Sequence, residues 1–381
     1  MNNLDAFREA GNPMFSENKL KLGIFGANCS HACAITTLET DFQPTFEKNL
    51  QIANMLEQSG MECMVPIARW RGFGGPSDFN GENMDTFTWA AALAAATKKI
   101  YLFSTTHVPT LHPIVAAKMA TTIDRISKGR YGINIVCGWF TPEMEMFGQK
   151  MLEHDTRYEY ATEWIEVVEK LWTENNFDYK GEFFTINDGV SNPKPYQSPR
   201  PVLICAGSSP KGRDFVAKYC DISFGFMEDM EKGKAWVSET KKLAAEKYNR
   251  EIGTFTSCPV VVRETEKEAK EFYDYYVHEK GDWEACENIC RVLQVQSMNH
   301  SPEMYEKFKA RFIAGWGGYP LVGTPEQVTD KLVDLSKTGV DGTLISMVDY
   351  NTELPFWNER VMPLLEQAGL RKPAKQAVEA L

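Results

Sequence analysis

Short apolar stretches alternate with longer amphipathic stretches along most of the chain, beginning near residue 20. The apolar stretches have the length of buried β-strands, whereas hydrophobic residues in the others recur at spacings of three and four, as on one face of a helix. This pattern predicts eight strands: Lys21–Phe25, Glu62–Ile67, Ile100–Thr105, Tyr131–Cys137, Pro201–Ala206, Asp221–Phe224, Phe255–Val262 and Gly342–Met347. It predicts helices that include Phe46–Ser59, Pro113–Ser127, Arg157–Trp172, Gly212–Tyr219 and Pro325–Lys337.

Strands that alternate with helices, without internal repeats or low-complexity linkers, predict an α/β fold of the TIM (β/α)8 barrel type. A doubly wound open sheet is the alternative, but the first strand is not followed by the GxGxxG turn that marks a nucleotide crossover. We therefore expect a single barrel domain over residues 1–381, with insertions on its C-terminal face.

Two segments are longer than an ordinary connection in such a fold. The first, Asp178–Arg200, precedes the fifth predicted strand and is rich in proline at its end. The second, over about residues 264–322, has a helical pattern and ends in the sequence GWGGYP (Gly315–Pro320). It is interpreted either as a lid with a hinge at Gly317–Gly318 or, equally, as a packing or oligomerisation element.

The composition restricts the class of partner and the compartment. Apolar residues make up 43% and charged residues 24% of the chain, which allows a large core. The net charge of −11 argues against nucleic acid or an anionic membrane as the main partner. No apolar run is long enough to span a membrane and the N-terminus does not resemble a signal peptide, so we expect a cytoplasmic protein. The nine cysteines have no zinc-binding spacing and are expected to be reduced and structural, with no bound metal.

The fourth predicted strand contains the most informative candidate chemistry. In the sequence YGINIVCGWFTPE, Asn134 lies among apolar residues, and the strand ends at Gly138 and Trp139. A buried amide is costly unless it is hydrogen-bonded, and barrel enzymes place their chemistry at the carboxyl ends of the strands. The stretch therefore predicts a cofactor site.

Polar residues follow the other predicted strands as well. Ser208 and Ser209 begin a helix after the fifth strand, where free backbone N–H groups can bind phosphate, and Arg157 and Tyr158 could add a cation and a hydroxyl. Candidate substrate contacts are the side chains of Asn28, His31, Arg71 and His107. For His107 a structural hydrogen bond is the more frequent role, and acid–base chemistry is the alternative. Hydrolytic and metal motifs are absent from the sequence, which favours a site where a cofactor performs the difficult step.

Several longer motifs resemble the bacterial luciferase-like superfamily of flavin-dependent monooxygenases, over almost the whole chain from Leu22 to Leu365. They are RWRGFGG (Arg69–Gly75), HPIVAAKMATTIDRISKGRYGINIVCGW (His112–Trp139), HDTRY (His154–Tyr158), KGEFF (Lys180–Phe184), ICAGSS (Ile204–Ser209), VGTPEQV (Val322–Val328) and FWNERVMPLL (Phe356–Leu365). Within the superfamily the chain is most similar to the pyrimidine monooxygenases that open the uracil ring. It is somewhat less similar to the dimethyl sulfone and alkanesulfonate monooxygenases.

The resemblance implies a TIM barrel that uses reduced FMN, supplied by a separate NAD(P)H-dependent flavin reductase, and O2 as co-substrate. A flavin N5- or C4a-peroxide then oxygenates a small-molecule substrate. Related barrels form homodimers or homotetramers, and the small residues Ala91–Ala96 offer a face for such packing.

The resemblance also assigns residues to the flavin site. Positions that match flavin contacts are Ala68, Arg69, Asn134, Glu143, Arg157, Tyr158 and Ser209, with Ser208 in the same phosphate turn. Thr105 matches a threonine of the oxygen pocket, where its hydroxyl beside Asn134 can direct O2 to flavin N5. Trp139 is expected to form a wall of the flavin or substrate cavity. Asn134, Thr105 and Trp139 are thus the predicted catalytic residues.

The match to the pyrimidine enzymes is interrupted after the first strand, where this chain has the sequence ANCSHAC (Ala27–Cys33). Since that loop belongs to the substrate side, another N-heterocycle of pyridine type is an alternative to uracil. Sulfone or sulfonate oxygenation with C–S cleavage is a second alternative. Hydride transfer with a deazaflavin and flavin binding without catalysis are the remaining ones.

Overall fold

The computed structural model describes residues 3–293 and 302–373 of the chain. Its strands are Lys21–Phe25 (β1), Cys63–Val65 (β2), Tyr101–His107 (β3), Tyr131–Val136 (β4), Phe177–Lys180 (β5), Thr185–Gly189 (β6), Val202–Cys205 (β7), Ile222–Phe224 (β8), Gly253–Val262 (β9), Leu321–Gly323 (β10) and Gly342–Ser346 (β11). Its α-helices are Asn3–Glu9 (α1), Phe46–Ser59 (α2), Thr86–Ala96 (α3), Pro113–Ser127 (α4), Thr141–Met146 (α5), His154–Thr173 (α6), Pro210–Tyr219 (α7), Met230–Tyr248 (α8), Glu266–Asp274 (α9), Trp283–Val292 (α10), Pro302–Gly315 (α11), Pro325–Lys337 (α12), Tyr350–Arg360 (α13) and Met362–Gln367 (α14).

Eight parallel strands close into a barrel in the order β1-β2-β3-β4-β7-β8-β9-β11, and the pairing of β11 with β1 completes the ring. These are the eight strands that the sequence pattern predicts, so the TIM-barrel prediction is confirmed. Every residue of β3 and β9 is buried. Parallel strands of this kind are covered on both faces, which is why they read as continuous apolar runs.

The N-terminal end of the barrel is filled by apolar side chains. Leu4, Phe7 and Met14, from α1 and the turn that follows it, join one buried cluster with Tyr101 and Phe255 of the barrel interior. The opposite end, where the carboxyl ends of the strands lie, is therefore the end at which a cavity can form.

The segment over residues 264–322 forms a cover above this C-terminal end; its residues 294–301 lie outside the described part of the chain. Ile35, in the loop after β1, exchanges backbone hydrogen bonds with Ile313 and Asp282 of the segment, each 2.9 Å long. Asn288 Nδ2 of the segment donates a hydrogen bond of 2.9 Å to the backbone oxygen of Phe73, which lies in the loop after β2. A second buried apolar cluster lies between the cover and these loops.

The other long segment contains an unpredicted antiparallel hairpin of β5 and β6. Glu163 of α6 accepts backbone hydrogen bonds from Glu182, Phe183 and Phe184 at 2.6, 2.9 and 3.1 Å, so the hairpin turn is held against the outside of that helix. The segment connects a helix to the following strand, β7. Phe184 of the hairpin contacts His112 at the start of α4 and Tyr160 near the start of α6, with ring centres 5.7 and 4.9 Å apart. The hairpin turn therefore reaches the end of the barrel at which these helices begin.

All nine cysteines are buried and none forms a disulfide. Within residues 3–293 and 302–373, none of the helices combines the length and apolar character needed to cross a membrane.

Candidate active site

A cavity of about 520 Å³ opens at the C-terminal end of the barrel. This volume lies in the range of small-molecule and cofactor sites. Its floor is apolar, formed by Phe25, Val65, Ile204, Phe224 and Leu344 of the strands. Its polar lining is Arg69, Thr105, His107, Asn134, His154, Arg157, Tyr158 and Ser208. No carboxylate of the described residues lines the cavity, although the chain as a whole has a net charge of −11.

Thr105 and Asn134 lie side by side because they are register partners in the parallel pair β3 and β4. Asn134 Nδ2 donates to Thr105 Oγ1 at 3.1 Å, and Thr105 Oγ1 donates to Pro66 O at 2.5 Å. This chain of hydrogen bonds orients the amide, and Asn134 Oδ1 accepts no hydrogen bond from any described residue. The Asn134 side chain is thus fixed by hydrogen bonds, and its carbonyl oxygen is available to a ligand.

Arg69 places a buried cation among aromatic rings. Its guanidinium carbon lies 4.8 Å from the Phe73 ring centre, 5.2 Å from that of Trp139 and 5.3 Å from that of Phe140. Only Nη1 has a hydrogen-bond partner within the described residues, Glu143 Oε1 at 3.3 Å, and the buried Nε has none. Burial lowers the pKa of Arg69, but a guanidinium stays charged in proteins.

Glu143 of α5 joins the loop after β2 to the end of β3. Its Oε1 accepts the backbone N–H of Trp70 at 2.7 Å, and its Oε2 lies 3.1 Å from His107 Nδ1. Burial acts to raise the pKa of Glu143, but the contact with His107 and the charge of Arg69 outweigh it and hold the pKa below its ordinary value. Burial likewise lowers the pKa of His107, despite its contact with Glu143. The site therefore contains a carboxylate and a neutral imidazole near pH 7.

The turn between β7 and α7 forms the opposite, polar part of the cavity. Gly207 approaches Gly212 so closely that a Cβ at residue 207 would lie 2.6 Å from the Gly212 carbonyl oxygen. Ser209 caps α7 through a hydrogen bond from Gly212 N to its Oγ at 3.1 Å. Arg157 donates from Nη1 to Gly138 O, while its buried Nε has no partner in the described part of the chain. Backbone N–H groups and a guanidinium suit an anionic group here.

Trp316, in the cover, completes the aromatic side of the cavity. Its ring centre lies 5.5 Å from that of Phe73 and 6.3 Å from that of Trp139. Its backbone has a φ of 53°, which is a strained conformation for a bulky residue. The neighbouring Gly318 permits a close approach to β9, since a Cβ there would lie 2.7 Å from Ser257 O. Gly318 therefore allows close packing of the cover against β9.

The structure brings most of the predicted site residues to one cavity. The predicted residues that line it are Ala68, Arg69, Thr105, His107, Asn134, Trp139, Arg157, Tyr158 and Ser208. The ones that do not are Asn28, His31, Arg71, Glu143 and Ser209. Asn28 is buried, and its amide donates to Ile67 O and Met84 O and accepts from Ile67 N, which satisfies it inside the protein. Glu143 lies behind Arg69 and His107.

Sequence reasoning missed the part of the site that the cover contributes. Phe312 and Trp316 line the cavity, but both lie far along the chain from the strand ends. The tryptophan flanked by glycines in GWGG was a usable signal, because a large side chain between glycines is typical of close backbone packing. Nothing in the sequence around Phe312 distinguishes it from a core residue of α11.

Comparisons with known proteins identify the family of the chain. Residues 22–342 match the family described as Luciferase-like monooxygenase. Pyrimidine monooxygenase RutA of Klebsiella pneumoniae subsp. pneumoniae is 32% identical over 357 residues, which cover 91% of this chain and 96% of that protein. RutA of Escherichia coli is also 32% identical, over 356 residues with the same coverage. The crystal structure of riboflavin lyase RcaE, with modified FMN and riboflavin, has a TM-score of 0.82 at 23% identity and covers 93% of each chain. The chain therefore belongs to the luciferase-like monooxygenase family and is a flavin-dependent monooxygenase.

Proposed function

We propose that this protein is the oxygenase component of a two-component system that uses reduced FMN and O2 to oxygenate, and to open, a small N-heterocyclic ring of pyrimidine or pyridine type. The observation that carries the proposal is the Asn134–Thr105 pair, which is held by hydrogen bonds in the lining of a cavity that no carboxylate of the described residues lines. Similarity to the pyrimidine monooxygenases supports the substrate class.

The residues of the cavity fit a flavin mononucleotide. The turn at Gly207 and Ser208, together with Arg157 and Tyr158, is suited to the phosphate, since it offers backbone N–H groups, a cation and a neutral phenol. Arg157 has a buried Nε without a partner in the described residues, and no acid lies beside it in the cavity lining, which favours an anionic ligand at this end of the cavity. When bound, reduced FMN supplies the electrons with which O2 is activated.

The side chains of the cavity orient the flavin and O2 and exclude water from the region where they react. Asn134 Oδ1 and Thr105 Oγ1 are held where they can orient the flavin edge and the O2 beside it. Trp139 and Trp316 limit the access of water to this region, which protects reactive oxygen species from unproductive decay. Glu143 orients Arg69 and His107 from behind the cavity wall, so we assign it a positioning role instead of a direct flavin contact.

The segment over residues 264–322 is proposed to act as a lid within the single barrel domain. Phe312 and Trp316 line the cavity, and this lining supports the proposal. The hydrogen bonds from the segment to Ile35 and Phe73 hold it on the barrel loops. Because Gly315 and Gly318 pack closely against β9, we expect the segment to open as one rigid unit.

Turnover with a panel of substrates tests the proposed function. The protein, FMN, NADH, a flavin reductase and O2 are incubated with uracil, a hydroxypyridine, dimethyl sulfone or no substrate, and products are identified by mass spectrometry. We expect an oxygenated, ring-opened product from a heterocycle only. Product from dimethyl sulfone alone would establish the C–S cleaving alternative, and O2-independent turnover with a deazaflavin would establish hydride transfer.

Replacing Arg157 with glutamine is expected to weaken FMN binding about 10- to 100-fold, since a hydrogen bond to a charged group contributes about 1.5–3 kcal/mol. Riboflavin, which lacks the phosphate, should bind the variant about as well as the wild type. Fluorescence titration measures both affinities. The control is Arg213→Gln, a cation of α7 paired with Glu239 and absent from the cavity lining. An equal loss for FMN and riboflavin would contradict the phosphate assignment of Arg157.

The proposal also includes a protein partner and an oligomeric state. The flavin reductase is expected to be a separate protein, and the oxygenase is expected to be a homodimer or homotetramer that packs through α3. Light scattering coupled to size exclusion gives the oligomeric state, and an Ala92→Glu exchange on the exposed side of α3 should lower it if that face is the interface.

A further inference from the structure

Two cysteine thiols meet in the lining of the active-site cavity, and the proposed chemistry does not use them. Cys205 ends β7 and Cys137 directly follows β4, and these two strands are neighbours in the barrel, with Ile135 and Cys205 in register. The thiols of Cys137 and Cys205 are hydrogen-bonded to each other. Both residues line the cavity, although they are only 9% and 3% exposed. A small molecule that forms inside the cavity can therefore reach this pair.

The remaining cysteines do not share this position. Cys220 is hydrogen-bonded to Cys205 but lies outside the cavity lining. Cys286 and Cys290 form a second hydrogen-bonded pair, in α10 of the cover, and they are also buried and outside the lining. The chain thus contains two thiol pairs, of which one faces the cavity and the other provides an internal control.

Cys205 is the more reactive thiol of its pair. Hydrogen bonds from the thiols of Cys137 and Cys220 hold the pKa of Cys205 well below its ordinary value, although burial acts in the opposite direction. The backbone N–H groups of Gly207 and Ala206 lower it further. The hydrogen bond to Cys205 and burial raise the pKa of Cys137. Since a thiolate is the nucleophile in thiol oxidation and a neighbouring thiol resolves the product, Cys205 is suited to attack and Cys137 to resolve.

The two cysteines belong to the two elements that form the end of the cavity proposed for the flavin phosphate. Cys205 is directly joined to the turn before α7. Cys137 is joined to Gly138, whose carbonyl oxygen accepts a hydrogen bond from Arg157. The sulfur–sulfur bond of a disulfide is about 2.05 Å long, so the two sulfur atoms must move closer than a hydrogen-bonded contact. A disulfide here therefore draws the end of β4 toward the turn and displaces the backbone that anchors Arg157.

We propose that Cys137 and Cys205 are an oxidation site for hydrogen peroxide, at which a disulfide closes between them and lowers the affinity of the protein for FMN. Hydrogen peroxide forms in the cavity when O2 takes two electrons and two protons from reduced flavin and no substrate is present to be oxygenated. This source of the oxidant rests on the proposed function, whereas the reaction of the thiols does not. The site thus stops the consumption of reduced flavin when substrate is lacking.

The oxidation balances in two steps. The Cys205 thiolate attacks one oxygen of the peroxide, the O–O bond breaks, and the departing hydroxide takes up a proton and leaves as water, so the sulfur becomes a sulfenic acid. The Cys137 thiol then attacks that sulfur and loses its proton, the S–S bond forms, the S–O bond breaks, and a second water leaves. Two thiols are oxidised to a disulfide, and one hydrogen peroxide is reduced to two waters.

Peptide mapping by mass spectrometry, after alkylation of free thiols, tests the site in the wild type. One sample receives hydrogen peroxide without flavin. A second is mixed with photoreduced FMN and O2 in the presence of catalase, which destroys peroxide in the bulk solution. We expect the Cys137 and Cys205 peptides to be linked, with the loss of two hydrogen atoms, in both samples. Cys286 and Cys290 should stay alkylated, because their pair does not line the cavity.

Fluorescence titration measures the consequence for the cofactor. The Kd for FMN should rise about 10-fold or more in the peroxide-treated wild type, the effect of losing one hydrogen bond to a charged group, and dithiothreitol should restore it. Cys205→Ser lacks the attacking thiol and should keep its own FMN affinity after the same treatment. Cys286→Ser, from the control pair, should respond to peroxide as the wild type does. Cys137→Ser, which lacks the resolving thiol, is the second variant and should form no linked peptide.

The inference is overturned if peroxide leaves Cys137 and Cys205 as free thiols, or if it oxidises both pairs to the same extent. A linked pair in the peroxide sample without one in the FMN sample would overturn the assignment of the oxidant to the cavity. Failure of the proposed function looks different, because the untreated protein would then oxygenate no heterocycle of the substrate panel, whichever peptides peroxide links.

Discussion

Replacing Asn134 with alanine is expected to lower the rate of substrate oxygenation about 100- to 1,000-fold, the loss seen when one oriented polar group of an active site is removed. The variant loses the hydrogen bond to Thr105 and the free Oδ1 that faces the cavity. Its free energy of unfolding should fall by only about 1 kcal/mol, because a single hydrogen bond is lost. Single-turnover kinetics with reduced FMN and urea unfolding measure the two effects separately.

Asn49→Ala is the matched control for this prediction. Asn49 is a fully buried amide of α2 that donates to Thr45 O and accepts from Trp89 Nε1, far from the cavity lining. The control should lose stability and keep its oxygenation rate per folded molecule. If the Asn134 variant loses rate and stability in the same proportion as the control, then Asn134 is a structural residue.

Replacing Glu143 with alanine is expected to lower the free energy of unfolding by about 3–5 kcal/mol, since it leaves the Arg69 cation buried without its counter-ion. The side chains of Arg69 and Glu143 are 3% and 0% exposed, so water cannot replace the carboxylate without rearrangement. The backbone N–H of Trp70 loses its acceptor as well. Urea unfolding of the apoprotein measures the change.

A second glutamate of α5, two residues further along the chain, provides the control. Glu145→Ala lies in the same short helix and is exposed, so its stability should change by no more than about 0.5 kcal/mol. Glu143→Gln should be much less destabilised than Glu143→Ala, because its amide oxygen can still accept from Trp70. A loss below about 1 kcal/mol for Glu143→Ala would mean that the buried ion pair described above is not formed.

The barrel could be predicted because its strands and helices obey local rules. Parallel strands buried on both faces read as apolar runs, and β1 has the predicted bounds. Helices with clear start signals also have the predicted bounds: α4 begins at Pro113 and α12 at Pro325, where Thr324 and Gln327 form a capping box. The β5–β6 hairpin was not predicted, since its strands are short and largely exposed.

The cavity could be predicted in part, because barrel strands end at one face. That rule places Thr105, His107 and Asn134 together, but it does not distinguish a side chain that faces the cavity from one that is satisfied inside the protein. Asn28 was predicted as a substrate contact, yet its amide joins the loops after β1 and β2. The position of Trp316 depends on a connection that crosses the barrel mouth, and no local pattern encodes such a contact.

We propose that O2 is activated by reduced flavin in this cavity and that one of its atoms enters an N-heterocycle. The most direct measurement is a single turnover of the protein loaded with reduced FMN and uracil, mixed with 18O2 and followed by mass spectrometry. We expect one 18O atom per molecule of ring-opened product. Product that carries no 18O, or that forms equally well without O2, would contradict it.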